Sequence, residues 1–230
     1  MNWENLFRHT RSAFYTEFLM EFICILIILF YLAKGRHKTL IYLPIIAAAS
    51  LIQILTAHYD LLSSNKTIFG KFAKNHSIYL YLIFESTCCL LFLRSSITSP
   101  LIKKVLLACS IAFGIYSIVY WVLYYSTWQA LPFIQNIEGF LIIVTCLYYF
   151  YELFTVTPHK NLATGARIWV ISGMLALFTA ITPLFLFLNY LTKNDRQLAD
   201  RFYLINNIGY TLFFLTFLLA IFIDSKKKTT

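Results

Sequence analysis

Three glutamates stand where a carboxylate is costly. Glu21, Glu85 and Glu138 each lie well inside a long run of apolar residues. A carboxyl in that setting must take a proton, find a partner, face an aqueous cavity or bind a cation. No Lys or Arg lies inside any of these runs, so an ion pair within them is not on offer. What remains is proton binding or relay, capture of a cationic or polar ligand, or hydrogen bonding between helices as packing glue.

Other polar groups join the three. Asn206 and Asn207 interrupt the last apolar run, and Gln53 and His58 close the second. Thr179 and Thr182 precede Pro183 in the sixth. Pro183 removes a backbone hydrogen bond and kinks its helix, and the two threonines are placed to satisfy the freed carbonyl. Glu17 lies one turn before Glu21, near the mouth of any site the latter forms. Glu152 falls at the end of the fifth run and reads as a solvated anchor.

The elements that must position these groups are apolar runs of about 20 residues, the length of a bilayer-spanning helix. Seven occur, at 14–33, 40–58, 77–93, 105–125, 131–151, 168–190 and 202–223. Alternate spans run the same way, so Glu21, Glu85 and Glu138 enter from one face, as do the asparagines of the seventh. Counted from the start of each run, all three carboxyls lie roughly 12 Å below that face. Gln53 and His58, on a span of opposite direction, reach the same half. The result is a polar layer at one depth, built by several helices. A pairing of spans one to three with five to seven would match Glu21 with Glu138, but little else corresponds.

Composition agrees with this parse. The 230 residues are 60% hydrophobic and only 13% charged, against the usual 45–50% and 25% of soluble domains. The expected fold is therefore an all-α polytopic membrane bundle of seven transmembrane helices, forming a single domain over residues 1–230. No soluble catalytic domain has room to fit. All 19 Lys and Arg fall outside the seven runs. Eleven lie in the odd-numbered loops and C-terminal tail, the densest being Lys34-Gly35-Arg36-His37-Lys38, Lys103-Lys104 and Lys226-Lys227-Lys228. The positive-inside rule then puts the N-terminus outside and the C-terminus in the cytoplasm. Trp121, Tyr124, Tyr125 and Trp128 form an outer aromatic belt, and Tyr148, Tyr149 and Tyr151 an inner one. The net charge of +9 suits anionic head groups rather than nucleic acid. The first run, with Glu17 and Glu21 inside it and no small-residue cleavage site, reads as a span and not a signal peptide.

Metal and cofactor chemistry find little support. Cys24, Cys88, Cys89, Cys109 and Cys146 all lie in apolar runs without a CxxC pair, and read as small packing residues. A retinal protein needs a lysine in the seventh span, which has none. Zinc hydrolases of the ceramidase and progestin-receptor type need three histidines, of which only His58 comes near, and the sugar and cystine carriers need a Pro-Gln pair that does not occur. Neither a cofactor nor a metal is expected. Two sequons, Asn65-Lys66-Thr67 and Asn75-His76-Ser77, and a terminal dilysine pattern are too short to weigh.

Four segments carry a resemblance. They are Ile83-Phe84-Glu85, Tyr148-Tyr149-Phe150-Tyr151-Glu152-Leu153, Ile168-Trp169-Val170-Ile171-Ser172-Gly173 and Ile205-Asn206-Asn207-Ile208-Gly209-Tyr210. With them the chain resembles uncharacterised bacterial seven-helix inner-membrane proteins. Those are similar in plan to the seven-helix sensor segments of membrane histidine kinases. The resemblance implies residence in the bacterial inner (plasma) membrane and, by analogy of architecture, a sensory role. The expectation is a receptor-like protein that binds a small ligand or proton through Glu21, Glu85, Glu138, Asn206, Asn207, Gln53 and His58. It would then signal to a cytoplasmic or membrane protein partner. An intramembrane hydrolase or proton-coupled transporter using the same carboxyls is one alternative. A helper subunit of a larger complex, with the glutamates as glue, is the other.

Overall fold

A computed structural model of the chain describes residues 19, 22–23, 25–27, 42–57, 68–124, 131–156, 165–194 and 196–226. Among the described residues the fold is all-helical, without strands, and only 97–99 and 165 stand outside helices. Six helices are described over their length: α1 Tyr42–Ala57, α2 Ile68–Ser96, α3 Pro100–Tyr124, α4 Leu131–Val156, α5 Ala166–Asn194 and α6 Arg196–Lys226. They fall on the second to seventh apolar runs. The first run is described at six positions, all helical. Glu17, Glu21, Cys24, His58 and the first sequon lie outside the described residues.

Three stretches are long and apolar enough to cross a membrane: Pro100–Leu123, Phe133–Thr155 and Ala166–Phe187. Shorter apolar helices occupy Pro44–Gln53 and Ile208–Ile223. The outer surfaces match that setting. Leu101, Val122, Phe140 and Leu186 are each more than 60% exposed, an arrangement that water would penalise and acyl chains accept.

Helices overrun the apolar runs. α2 begins at Ile68, nine residues before the run at 77, so 68–76 is a continuation of the third span's helix and the second sequon sits inside it. α3 begins at Pro100 and carries Lys103 and Lys104 in its first turns. α4 continues past Glu152 to Val156. The physical reason is that hydropathy reports contact with lipid, whereas a helix continues as long as its backbone groups need partners.

The α2–α3 turn is short and fully bonded. Ser95 and Ser96 hydroxyls donate to the Phe92 carbonyl at 2.7 and 3.0 Å, and the Ile97 N–H to the Leu93 carbonyl at 3.1 Å. Ser99 is the N-cap of α3. Its carbonyl accepts the Lys103 N–H at 3.1 Å, and Pro100 follows in the first helical position, where a missing N–H costs nothing.

α2 packs against α1, α3 and α4; α4 packs against α5, and α5 along α6. Two glycines permit the closest approaches. A Cβ at Gly139 of α4 would collide with the Thr182 side chain of α5, and one at Gly173 of α5 would lie 2.8 Å from Thr216 Cγ2 of α6. Small residues at such crossings let helices gain dispersion contacts where lipid removes the hydrophobic drive. Phe213, Phe214 and Phe217 are wholly buried on α6 and stack edge-on, the closest pair 4.5 Å apart.

Candidate functional site

Glu85 projects from the middle of α2 and Glu138 from the second turn of α4. Both are buried, 0% and 2% exposed. The two lie within direct electrostatic reach of each other. Tyr210 of α6 donates its hydroxyl to Glu85 Oε2 at 3.3 Å. Tyr81, one turn before Glu85 on α2, is also hydrogen-bonded to it and to Tyr210. Cys89, one turn after Glu85, lies within electrostatic reach of both glutamates and of Cys146. Three helices thus converge on one carboxyl pair.

The pair is incompletely bonded. Glu85 Oε1 and Glu138 Oε1 are buried and have no hydrogen-bond partner among the described residues. The same holds for Gln135 Oε1, Asn136 Oδ1, Thr182 Oγ1 and Asn206 Oδ1, and for Ser117 Oγ on α3. Buried polar atoms are usually satisfied, because each orphan forfeits its hydration without replacement. Two of these seven orphans are the carboxyl oxygens themselves, and three more lie on positions one turn from, or packed beside, residues of the cluster. Gln135 precedes Glu138 by one turn. Asn206 precedes Tyr210 by one turn and shares its face of α6. Thr182 packs on α4 at Gly139, beside Glu138.

Of the residues expected from sequence, Glu85 and Glu138 come together, and Asn206 lies one turn before Tyr210, which bonds Glu85. Gln53 is half-buried in α1. Asn207 lies in α6 with its side chain outside the described residues, as are Glu21 and His58 altogether. The threonines beside Pro183 behave differently from expectation. Thr179 Oγ1 donates down its own helix to the Leu175 and Ala176 carbonyls. Thr182 Oγ1 is unpartnered. Neither satisfies the carbonyl that Pro183 frees, because Thr179 bonds the turn below it and Thr182 turns toward α4.

Sequence reasoning missed Tyr81, Tyr210, Gln135 and Asn136. Three of these are legible in hindsight: each of Tyr81, Gln135 and Tyr210 sits three or four positions from a residue already singled out. Tyr149 was assigned to the inner belt but is buried in the core, while Tyr151, two positions on, is 63% exposed. A belt is a property of one helix face, not of a cluster in sequence.

Glu152 is the larger surprise. It is buried, 6% exposed, not a solvated anchor. Its carboxylate accepts the Thr98 N–H at 2.7 Å, the Thr98 hydroxyl at 2.5 Å and the Ser99 N–H at 2.8 Å. The N-terminus of α3 offers free N–H groups and the positive end of its dipole, and Glu152 of α4 fills that role from across the bundle. Around it, Arg94 Nε donates to the Lys103 carbonyl at 3.1 Å and Arg167 Nη1 to the Ser95 carbonyl at 3.4 Å. The ends of α2, α3, α4 and α5 are tied together at this one point.

Among the described residues no three His, Cys, Asp or Glu side chains gather as a metal site would require. Cys88, Cys89, Cys109 and Cys146 are free thiols. The chain matches no family model, no curated protein and no solved structure.

Proposed function

We propose that the chain is a receptor-like integral membrane protein that binds a proton or small ligand at the Glu85–Glu138 layer and passes a helix shift to a partner. The observation that carries this reading is the buried carboxyl pair with one orphan oxygen on each member. A layer serving only as glue would have its acceptors matched by donors. Seven spans, an outside N-terminus and a bacterial inner-membrane address complete the reading. It is supported by the three stretches able to cross a membrane and by the distribution of Lys and Arg.

The wiring favours a sensor over a rigid scaffold. Glu138 and Glu152 share α4, about 21 Å apart along its axis. Glu85 and Arg94 share α2, about 14 Å apart. A ligand that draws Glu85 and Glu138 together therefore acts on two helices whose far ends meet at the Glu152 cluster. That face is cytoplasmic in the proposed orientation.

The test is native mass spectrometry of protein released from mild detergent, wild type beside the Glu85→Gln, Glu138→Gln double variant. A retained small molecule that disappears in the variant supports the reading. A co-purified protein present equally in both, with no small molecule in either, would replace it with the helper-subunit reading.

A further inference from the structure

We infer that the ligand of this layer is a hard metal cation, held by oxygen atoms alone from α2, α4, α5 and α6. The inference rests on the ligand-binding reading above and names the chemical class. Five orphan oxygens define the donor set: Glu85 Oε1, Glu138 Oε1, Gln135 Oε1, Thr182 Oγ1 and Asn206 Oδ1. Asn136 is left out because two residues along a helix point to different faces, whereas Gln135 and Glu138 share one. All five atoms are oxygens able to bind a cation through a lone pair, the Thr182 hydroxyl being also a donor. An organic ligand rich in donors and acceptors would call for a mixed set; a bare cation calls for oxygens only.

The identity of the donors narrows the metal. Carboxylate, amide and hydroxyl oxygens select hard cations, while thiolate and imidazole select zinc, copper and iron. The thiols of Cys88, Cys89 and Cys146 are free and near the pair, and among the described residues no three His, Cys, Asp or Glu side chains gather, so the two carboxylates are all the charge this layer supplies. Magnesium holds its waters and prefers open sites, which disfavours a layer where both carboxyls are fully enclosed. Sodium and calcium, which accept irregular all-oxygen shells, remain. Their charge is set by the pair itself: calcium balances two carboxylates, and sodium balances one with the other keeping its proton. A cation at this point also resolves the electrostatics, since no Lys or Arg lies within the apolar runs.

The test is thermal unfolding of the full chain in detergent, stripped with chelator into choline chloride and titrated separately with NaCl and CaCl2. Matched additions of choline chloride control for ionic strength. A melting temperature that rises and saturates with either metal salt is expected, because an ion that binds only the folded state stabilises it in proportion to its occupancy. Glu138→Gln should fold and lose that rise. Glu152→Gln, outside the layer, should melt lower yet keep it. No saturable response to either salt in the wild type, or a response that Glu138→Gln retains in full, overturns the cation. An organic mass retained by the wild type and lost in the double variant, with no metal response, overturns the cation alone and leaves the ligand layer standing. Absence of both overturns the cation and the small-ligand form of the reading together, leaving only proton binding at the pair.

Discussion

Two buried carboxyl sites in this chain obey opposite rules. At Glu152 one carboxylate meets three donors, two of them the free N–H groups that open α3. At the other site Glu85 meets tyrosine hydroxyls and Glu138 lies beside it, and each keeps an oxygen with no described partner. All three carboxyls are shielded from solvent, but Glu152 lies near the rim of the bundle and the pair in its depth, so depth is one part of the difference. The other part is the supply of donors. A helix N-terminus brings several at once, already held in position, whereas the mid-helix surroundings of Glu85 and Glu138 have spent their N–H groups on the backbone ladder. The first arrangement fixes a structure. The second leaves two carboxyl oxygens without a described donor, the observation on which the proposed ligand layer rests.

If that contrast is correct, the two sites respond to mutation with opposite signs. The largest effect is expected at Glu152. Glu152→Ala removes a charged acceptor from three donors, two of them N–H groups that open α3, a loss of about 3 kcal/mol. Unfolding in mixed micelles, followed by tryptophan fluorescence as denaturing detergent is added, measures it. A loss no larger than that of an exposed substitution would break the comparison.

Next come the close helix crossings, which separate distance from the carboxyl pair from packing as such. Gly139→Ala forces α4 away from Thr182, and Gly173→Ala forces α5 away from Thr216. Each is an overpacking change costing about 2 kcal/mol. The stability losses should be similar, but only Gly139 adjoins Glu138. Ligand retention by native mass spectrometry should therefore fall in Gly139→Ala and persist in Gly173→Ala. Equal retention would show that the layer is insensitive to the spacing of α4 and α5.

These positions also show what the sequence could reveal. The helical class, six of the helices and the membership of Glu85 and Glu138 in one layer follow from runs of apolar residues, since those runs are set by lipid. Helix ends were misplaced where charged residues ride on a continuing helix, as in 68–76 and at Glu152. The Glu152 cap was illegible for a specific reason. Its partners Thr98 and Ser99 are 54 and 53 positions away, and no local pattern links a mid-chain glutamate to a distant helix start. Gln135 and Tyr210 were within reach, each one turn from a residue already in view. The orphan oxygens were not, because satisfaction is a property of neighbours in space.

The third expected effect has the reverse sign. Glu85→Gln with Glu138→Gln exchanges two carboxyls that need a counter-charge for amides that do not. In the absence of ligand the double variant should be as stable as the wild type or more so, by about 1 kcal/mol. The same micelle unfolding measures it, and ligand retention should vanish in the same sample. A variant that loses stability as Glu152→Ala does would make the pair a structural tie and erase the distinction between the sites.

The smallest effect resolves the Glu152 site into its parts. Thr98 contributes both a backbone N–H and a hydroxyl to the carboxylate, and its side chain is exposed. Thr98→Ala deletes only the hydroxyl. Both N–H donors and the Ser99 cap of α3 remain, so the carboxylate keeps two of its three bonds and water can reach the place of the third. The expected loss is about 1 kcal/mol or less, well below that of Glu152→Ala. Thr98→Ser restores the hydroxyl and should recover most of it. If Thr98→Ala instead costs as much as Glu152→Ala, the hydroxyl holds the carboxylate and the helix terminus is incidental. If it costs nothing while Glu152→Ala remains severe, the two backbone N–H groups and the α3 dipole hold it. That second result would place the stability of this corner in the backbone of α3, where side-chain variation at position 98 leaves it untouched.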